Sequence, residues 1–327
     1  MRTAHATSSY SRPVVLWRFS DGKRGHDNQS LGLIEALARL VPVDARTLAL
    51  PGLASTLASL VLRRFPAAAN LPDPNLLIGA GHATHLPLLA AGRARGGRII
   101  VLMKPSLPLR LFDLCIIPRH DEVGEGEGVL NTEGALNRMV PSQSHDASRG
   151  LILLGGESPH YQWKDDVVLR QVHKVVSEHP EIQWQIADSR RTPASISSAL
   201  AALATSNATL VHHSAVPAEW LPTQMAHSGT VWVTEDSVSM IYEAMTSGAA
   251  VGLIELPNTK RSRVHSGIDR LVRAGYVTRF AQWSRGQALA LPPQPLHEAA
   301  RCARWIRDQW LQTSSEASAE SGKSPHH

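Results

Sequence analysis

The chain of 327 residues is 43% hydrophobic and 19% charged, a globular balance that excludes wholesale disorder and fibrous classes, and at roughly 150 residues per domain its length predicts two domains. The formal net charge of +5 is carried by 27 Arg and only six Lys spread along the chain, so there is no basic tail for nucleic acid. Guanidinium forks pair bidentately with phosphate, which leaves phosphate-bearing small ligands or an anionic membrane surface as the partners this surplus suits.

Residues 1–12 are small and polar and read as a flexible N-terminus without the apolar core of a secretory leader. Strand-like apolar runs follow at 14–17, 76–78, 99–103 and 114–117, alternating with helical periodicity near 29–40, 52–64 and 84–95. That alternation predicts a parallel α/β sheet. The run 53–62, closed by Arg63 and Arg64, predicts an amphipathic helix with a basic end. Its apolar side is expected to face the core, with peripheral membrane contact by residues 51–66 as the alternative. No stretch approaches the roughly 20 apolar residues that span a bilayer. Cys115 sits in a strand-like run far from Cys302, which predicts no disulfide framework and fits a reducing cytoplasm.

A polar stretch at 141–150 predicts a linker, closing a first domain at 13–140. Strand-like runs at 151–154, 184–187, 209–211, 230–233 and 250–254 then alternate with helical patterns near 165–178, 194–205, 219–227, 238–247 and 263–273, which predicts a second α/β domain over 151–295. A last helix over 296–312 carries Ala299, Cys302, Ala303, Ile306 and Trp310 on one side, and the polar end, 313–327, is expected to be disordered. The fold class is therefore α/β, with two Rossmann-like domains facing a cleft. Open sheets of this kind place ligands at the carboxyl ends of their strands.

The first strand runs into Asp21-Gly22-Lys23-Arg24-Gly25-His26-Asp27-Asn28-Gln29 ahead of a helix. Two glycines let backbone approach a ligand closely, and a helix N-terminus offers N–H groups to an anion. A plain turn has no need of Asp21, Lys23, His26 and Asn28 together. Neither the dinucleotide glycine fingerprint nor the P-loop spacing occurs, so nicotinamide and P-loop readings lose support. Later strand ends carry Gly81 and His82, then Lys104, then Asp121. His82 and His85 have metal-like spacing but no Cys, Asp or Glu nearby, and no metal site is expected.

In the second half a strand enters Gly155-Gly156, and another enters Ser189-Arg190-Arg191-Thr192-Pro193. Thr192 is expected to cap the next helix with Pro193 in its first turn, and Arg190 and Arg191 to meet a diphosphate. The strongest segment is Thr234-Glu235-Asp236-Ser237-Val238-Ser239-Met240, where a strand meets a helix whose first turn is rich in hydroxyls. Ser237, Ser239 and the helix N–H groups suit phosphate oxygens. Glu243, four residues after Ser239, suits a vicinal ribose diol.

Together these motifs resemble the family named for the plant mitochondrial-fission "elongated mitochondria" protein, over about residues 13–280. Bacterial members are described as glycosyltransferases, and an older label of nucleoside-diphosphate-sugar epimerase also circulates for them. The family looks like GT-B glycosyltransferases, including the N-acetylglucosaminyltransferase that completes the lipid-linked peptidoglycan precursor. The resemblance implies a donor site in the second domain built from Gly155, Gly156, Arg190, Arg191, Thr192, Glu235, Asp236, Ser237, Ser239, Met240 and Glu243. It implies acceptor-side loops in the first, with Gly22, Lys23, Gly25, Asn28, Gln29, Gly81, His82 and Lys104, and a final helix that crosses back onto the first domain.

Glycosyl transfer needs the leaving diphosphate stabilised, which helix N-termini and Arg can do without a metal. The absence of Asp-x-Asp disfavours the metal-dependent alternative fold. Asp21 ranks first as the base that deprotonates the acceptor hydroxyl, followed by His26 and Asp121. The expected activity is transfer of a sugar from a nucleoside-diphosphate donor, itself a substrate, to a lipid or glycan acceptor of the cell envelope, with no cofactor, in the cytoplasm or at the inner face of the membrane. The alternatives are an epimerase on the same ligand class and a non-catalytic interaction protein on a transferase scaffold.

Overall fold

The computed structural model describes residues 12–202, 206–217, 219–257, 263–294 and 296–311. The segments 1–11 and 313–327, expected to lack order, lie outside the described residues. The chain divides into two compact units, residues 1–138 with 298–327 and residues 139–297.

The first unit runs β1 (Val14–Ser20), α1 (Arg24–Ala38), β2 (Val43–Ala49), α2 (Leu53–Leu62), β3 (Leu76–Ala80), α3 (His85–Arg95), β4 (Arg98–Leu102), β5 (Leu114–Pro118) and β6 (Val129–Thr132). Its sheet has the order β2-β1-β3-β4-β5-β6, and every pair is parallel. Parallel strands covered on both faces read as unbroken apolar runs, and β3 and β5 are buried at all five positions. One face packs Leu16, Ile78, Ile100 and Ile116 under Leu33 and Leu37 of α1. The other packs Trp17, Phe19, Leu77 and Val101 under Leu88 and Ala91 of α3.

The second unit runs β7 (Asp146–Leu153), α4 (Asp165–Glu178), β8 (Gln183–Ala187), α5 (Ala194–Ala202), β9 (Ala208–Val211), α6 (Trp220–His227), β10 (Ser228–Thr234), α7 (Val238–Ser247), β11 (Ala250–Ile254), α8 (Arg263–Arg273), β12 (Thr278–Arg279) and α9 (Phe280–Trp283). Its parallel sheet has the order β12-β11-β10-β7-β8-β9. A last helix, α10 (Glu298–Ile306), belongs to the first unit, where Ala299, Cys302, Ala303 and Ile306 complete the core on the α1 face.

Four features differ from the sequence reading. Strands β2, β6 and β12 went unseen because all three are sheet edges, and β2 buries none of its seven residues, so they lack the apolar run that marks an interior strand. The expected linker 141–150 is strand from Asp146 onward; the first three residues of β7 are exposed, which makes a strand start look polar. The cysteines are free and buried, in keeping with the absence of a disulfide framework.

The third difference is α2, whose apolar side does not face the core: Thr56 and Ser59 are buried while Leu53, Leu57, Val61 and Leu62 are exposed. The fourth is Thr192, which does not act as a helix cap. Its hydroxyl turns back to the Leu154 and Gly155 carbonyls and accepts from the Ser189 N–H, and α5 starts after Pro193.

Candidate active sites

Each sheet has one point where neighbouring strands send their connections in opposite directions, and open α/β folds bind ligands there, beyond the strand carboxyl ends. In the first unit that point lies between β1 and β3, and in the second between β7 and β10.

Beyond β1, the Asp21 carboxylate is held by the Lys23 backbone N–H at 3.1 Å and meets His26 Nδ1 at 2.9 Å, with the Lys23 ammonium 3.7 Å away. Burial pushes the Asp21 pKa up, but the Lys23 N–H, the His26 ring and the Lys23 charge outweigh it and hold the carboxyl below its usual range. Asp21 is therefore an ionised orienting group and a weak base. With Nδ1 facing Asp21, Nε2 is the imidazole nitrogen left to take a proton, a carboxylate–imidazole pair of the kind that general-base catalysis uses.

Gly81, beyond β3, packs against that ring; a Cβ there would lie 2.3 Å from His26 Cε1. Behind the pair, Asp27 accepts from Arg18 and from Ser20, each at 2.6 Å, and fixes the first turn of α1 to β1. Gln29 is buried and donates to Met103 Sδ. Lys104 donates to the Asp121 carbonyl at 3.4 Å, and the Asp121 carboxylate lies 4.0 Å from His120. Gly22, Lys23, Gly25 and His82 are exposed, Asn28 is half-buried, and His85 is buried beside Phe112 with Ser106 at 3.3 Å.

In the second unit, the loops beyond β7, β8 and β10 are interlocked. The Gly155 N–H donates to Thr234 Oγ1 at 2.7 Å, and the Gly156 N–H to Asp236 Oδ2 at 2.9 Å. Arg191 reaches Asp236 Oδ2 at 2.8 Å and also donates to the Glu157 carbonyl, while Ser189 Oγ donates to the Gly155 carbonyl. The glycine pair is explained by these contacts: a Cβ on Gly155 would fall 2.1 Å from the Asp236 carboxylate, and one on Gly156 would fall 1.9 Å from the Arg191 carbonyl. Arg191 thus braces the loop, whereas Arg190 is exposed and, among the described residues, makes no ion pair.

Ser237 holds the N-cap position of α7 without a side-chain cap bond. Ile241 is the first helix N–H to close, onto the Ser237 carbonyl, so the N–H groups of Val238, Ser239 and Met240 have no partner within the helix. Ser237 is buried, Ser239 exposed, and Met240 and Glu243 half-buried. Positive ends of this kind favour anions.

Asp236 has a fully buried side chain, and burial raises its pKa against the pull of Thr234, Gly156 and Arg191. Glu235 does not join this cradle. It is buried against Arg279 at 3.1 Å, which also pairs with Asp269, and burial pushes its carboxyl up to about 7.

Sequence reading missed three sets of contacts here. Thr234 Oγ1 and Ser189 stand in the quoted motifs, but their roles in tying the loops depend on Gly155 at another strand end; Arg18 anchors α1 through Asp27 and Ser30, nine and twelve residues on. The third set is Asp188, His212 and His213, beyond β8 and β9, the one group among the described residues with metal-ligand spacing. Asp188 meets His212 Nε2 at 3.3 Å and His213 Nδ1 at 2.8 Å. Each imidazole thus turns one ring nitrogen toward the same carboxylate.

A family model described as mitochondrial fission ELM1 matches residues 24–310. An uncharacterized protein, RP120, of Rickettsia prowazekii (strain Madrid E) is 21% identical over 351 residues, covering 89% of this chain and 97% of its own. Among solved structures, a UDP-GlcNAc 2-epimerase from Neisseria meningitidis bound to UDP-GlcNAc is similar with a TM-score of 0.54 at 12% identity, covering 91% of this chain and 99% of that one. The glycotransferase of kitacinnamycin is similar with a TM-score of 0.50 at 13% identity, over 94% of this chain and 99% of that one. The fold is that of the GT-B class, two Rossmann-like units each with a parallel six-stranded sheet.

Proposed function

The chain belongs to the mitochondrial fission ELM1 family, and from that premise we propose that it is a glycosyltransferase which takes a sugar from a nucleoside-diphosphate donor and passes it to a hydroxyl acceptor. The observation that carries this reading is the cradle beyond β7 and β10, where a braced glycine loop meets the open N-terminus of α7. The N–H groups of Val238, Ser239 and Met240, held in place by the helix, suit a diphosphate in the ground state and the charge that develops on it as it leaves. Arg190 supplies an exposed guanidinium for the same oxygens. Glu243, on α7, accepts from the ribose hydroxyls.

In the first unit, His26 Nε2 removes the acceptor proton while the bond from the anomeric carbon to the acceptor oxygen forms and the bond to the diphosphate breaks. Asp21 orients the ring and stabilises the imidazolium that results. This role falls to His26 rather than Asp21, since a carboxylate held below its usual pKa is a poor proton acceptor. The acceptor fitting this reading is a lipid or glycan of the cell envelope.

Calorimetric titration of the full chain with UDP, UDP-GlcNAc and other nucleoside-diphosphate sugars tests the donor half. One donor should bind, and Glu243→Ala should weaken it by about tenfold, the loss of a charged hydrogen bond. Heat from none of them rejects the reading. The epimerase alternative draws on the likeness to the Neisseria enzyme; it requires isomerisation of the sugar nucleotide without an acceptor, whereas transfer releases the nucleoside diphosphate only with one.

A further inference from the structure

Helix α2 is oriented opposite to what covering a sheet requires. Its inward side is polar, with Thr56 1% and Ser59 5% exposed and the Thr56 hydroxyl folded back onto the Gly52 carbonyl at 3.1 Å. Its outward side is apolar: Leu53 is 66% exposed, Leu57 48%, Val61 77% and Leu62 67%. Leu53, Leu57 and Val61 follow at intervals of four, so they form one stripe along the helix. The stripe is not needed for packing, because Phe65, Ala68 and the partly buried Leu60 supply this segment's contact with the core beside α3.

The chain to either side of the stripe is mostly basic: residues 44–113 contain eight basic side chains and three acids, Asp44, Asp73 and Asp113. Asp73 is itself paired with Arg95. At the end of α2, Arg63 takes a left-handed backbone conformation, and both Arg63 and Arg64 are exposed. A second copy brought against this face would meet its own surplus of positive charge.

We propose that the outward face of α2 seats this protein on an anionic lipid bilayer. Leu53, Leu57, Val61 and Leu62 enter the boundary between headgroups and acyl chains, and Arg63 and Arg64 pair with lipid phosphates. A short helix lying in the interface gains from apolar burial and from attraction to anionic lipid together, which are the two properties this face combines. The inference stands apart from the transferase reading, since it rests on the exposure of α2 and the charge of the chain that flanks it.

The test is flotation of the full chain with vesicles of phosphatidylcholine containing about one third phosphatidylglycerol, against phosphatidylcholine alone. The chain should float with the anionic vesicles and bind them more weakly at high salt. Leu57→Glu with Val61→Glu should reduce binding by more than about tenfold, and Arg63→Ser with Arg64→Ser by about fivefold per residue. All four side chains are exposed, so melting temperatures should stay near wild type and separate lost docking from lost fold. No flotation of wild type, or undiminished flotation of the double Glu variant, overturns the proposal. So does a wild-type dimer in sedimentation that the Glu variant dissolves, which would assign the face to a second copy.

Discussion

Gly81 offers the sharpest test of the His26 assignment, because one added carbon should disable the imidazole without touching it chemically. Its backbone, at φ 84 and ψ 156, lies in a region that is essentially reserved for glycine. Alanine there costs about 1–3 kcal/mol in backbone strain, which lowers the melting temperature by roughly 2–4 °C per kcal/mol for a unit of this size. The new Cβ would stand 2.3 Å from His26 Cε1, where carbon atoms need about 3.5 Å, so the ring must retreat by about 1 Å. That movement breaks the 2.9 Å contact with Asp21 and takes Nε2 off its target. A misplacement of that size costs about a hundredfold in rate. The assay is release of nucleoside diphosphate from the donor identified by calorimetry, run on wild type, Gly81→Ala, His26→Ala and the double variant. If both substitutions act through the same ring, the double variant loses no more than His26→Ala alone. Multiplicative losses, or full turnover in a folded Gly81→Ala, would refute the reasoning.

Two further substitutions probe the second unit. Asp236→Ala strips the partner from the Gly156 N–H and from Arg191; since Arg191 is 43% exposed and regains water, the stability loss in denaturant should be about 1–3 kcal/mol, and calorimetry should show weaker donor binding. Unchanged affinity would detach the glycine loop from the donor. Glu235 predicts a pH dependence. Its folded pKa of about 7 stands above its ordinary 4.5, so the folded state holds the proton more tightly and stability falls as pH rises from about 4.5 through 7, by roughly 3 kcal/mol. Glu235→Gln should flatten that decline between about pH 5 and pH 8; parallel curves for the two proteins would sink the assignment.

Interior strands were legible because a strand buried on both faces must be apolar throughout, as in β3, β5 and β11. The edges β2, β6 and β12 had no such constraint. Amphipathicity located α2 but carried no direction, since periodicity says that a helix has two sides and not which one meets the sheet. The motif loops were visible as runs of glycine, hydroxyl and charge. Their wiring was not: Gly156 is glycine because of the Arg191 carbonyl thirty-five residues later, and Asp188 meets His212 and His213 only because β8 pairs with β9.

The passage of the chain out of the first unit at residue 138 and back at residue 298 has a consequence for synthesis. The second unit is continuous in sequence and can close as soon as it clears the ribosome. The first begins earlier and finishes later, because Cys302, Ala303 and Ile306 fill a core whose other members, Leu16, Leu33 and Ile78, are made at the start. At about 5–20 residues per second, the nascent first unit waits through the whole of its inserted neighbour with the place of α10 beside α1 unfilled. During that interval the part of the face that Ala299, Cys302, Ala303 and Ile306 later cover is open to chaperones and to other chains, and α10 closes it.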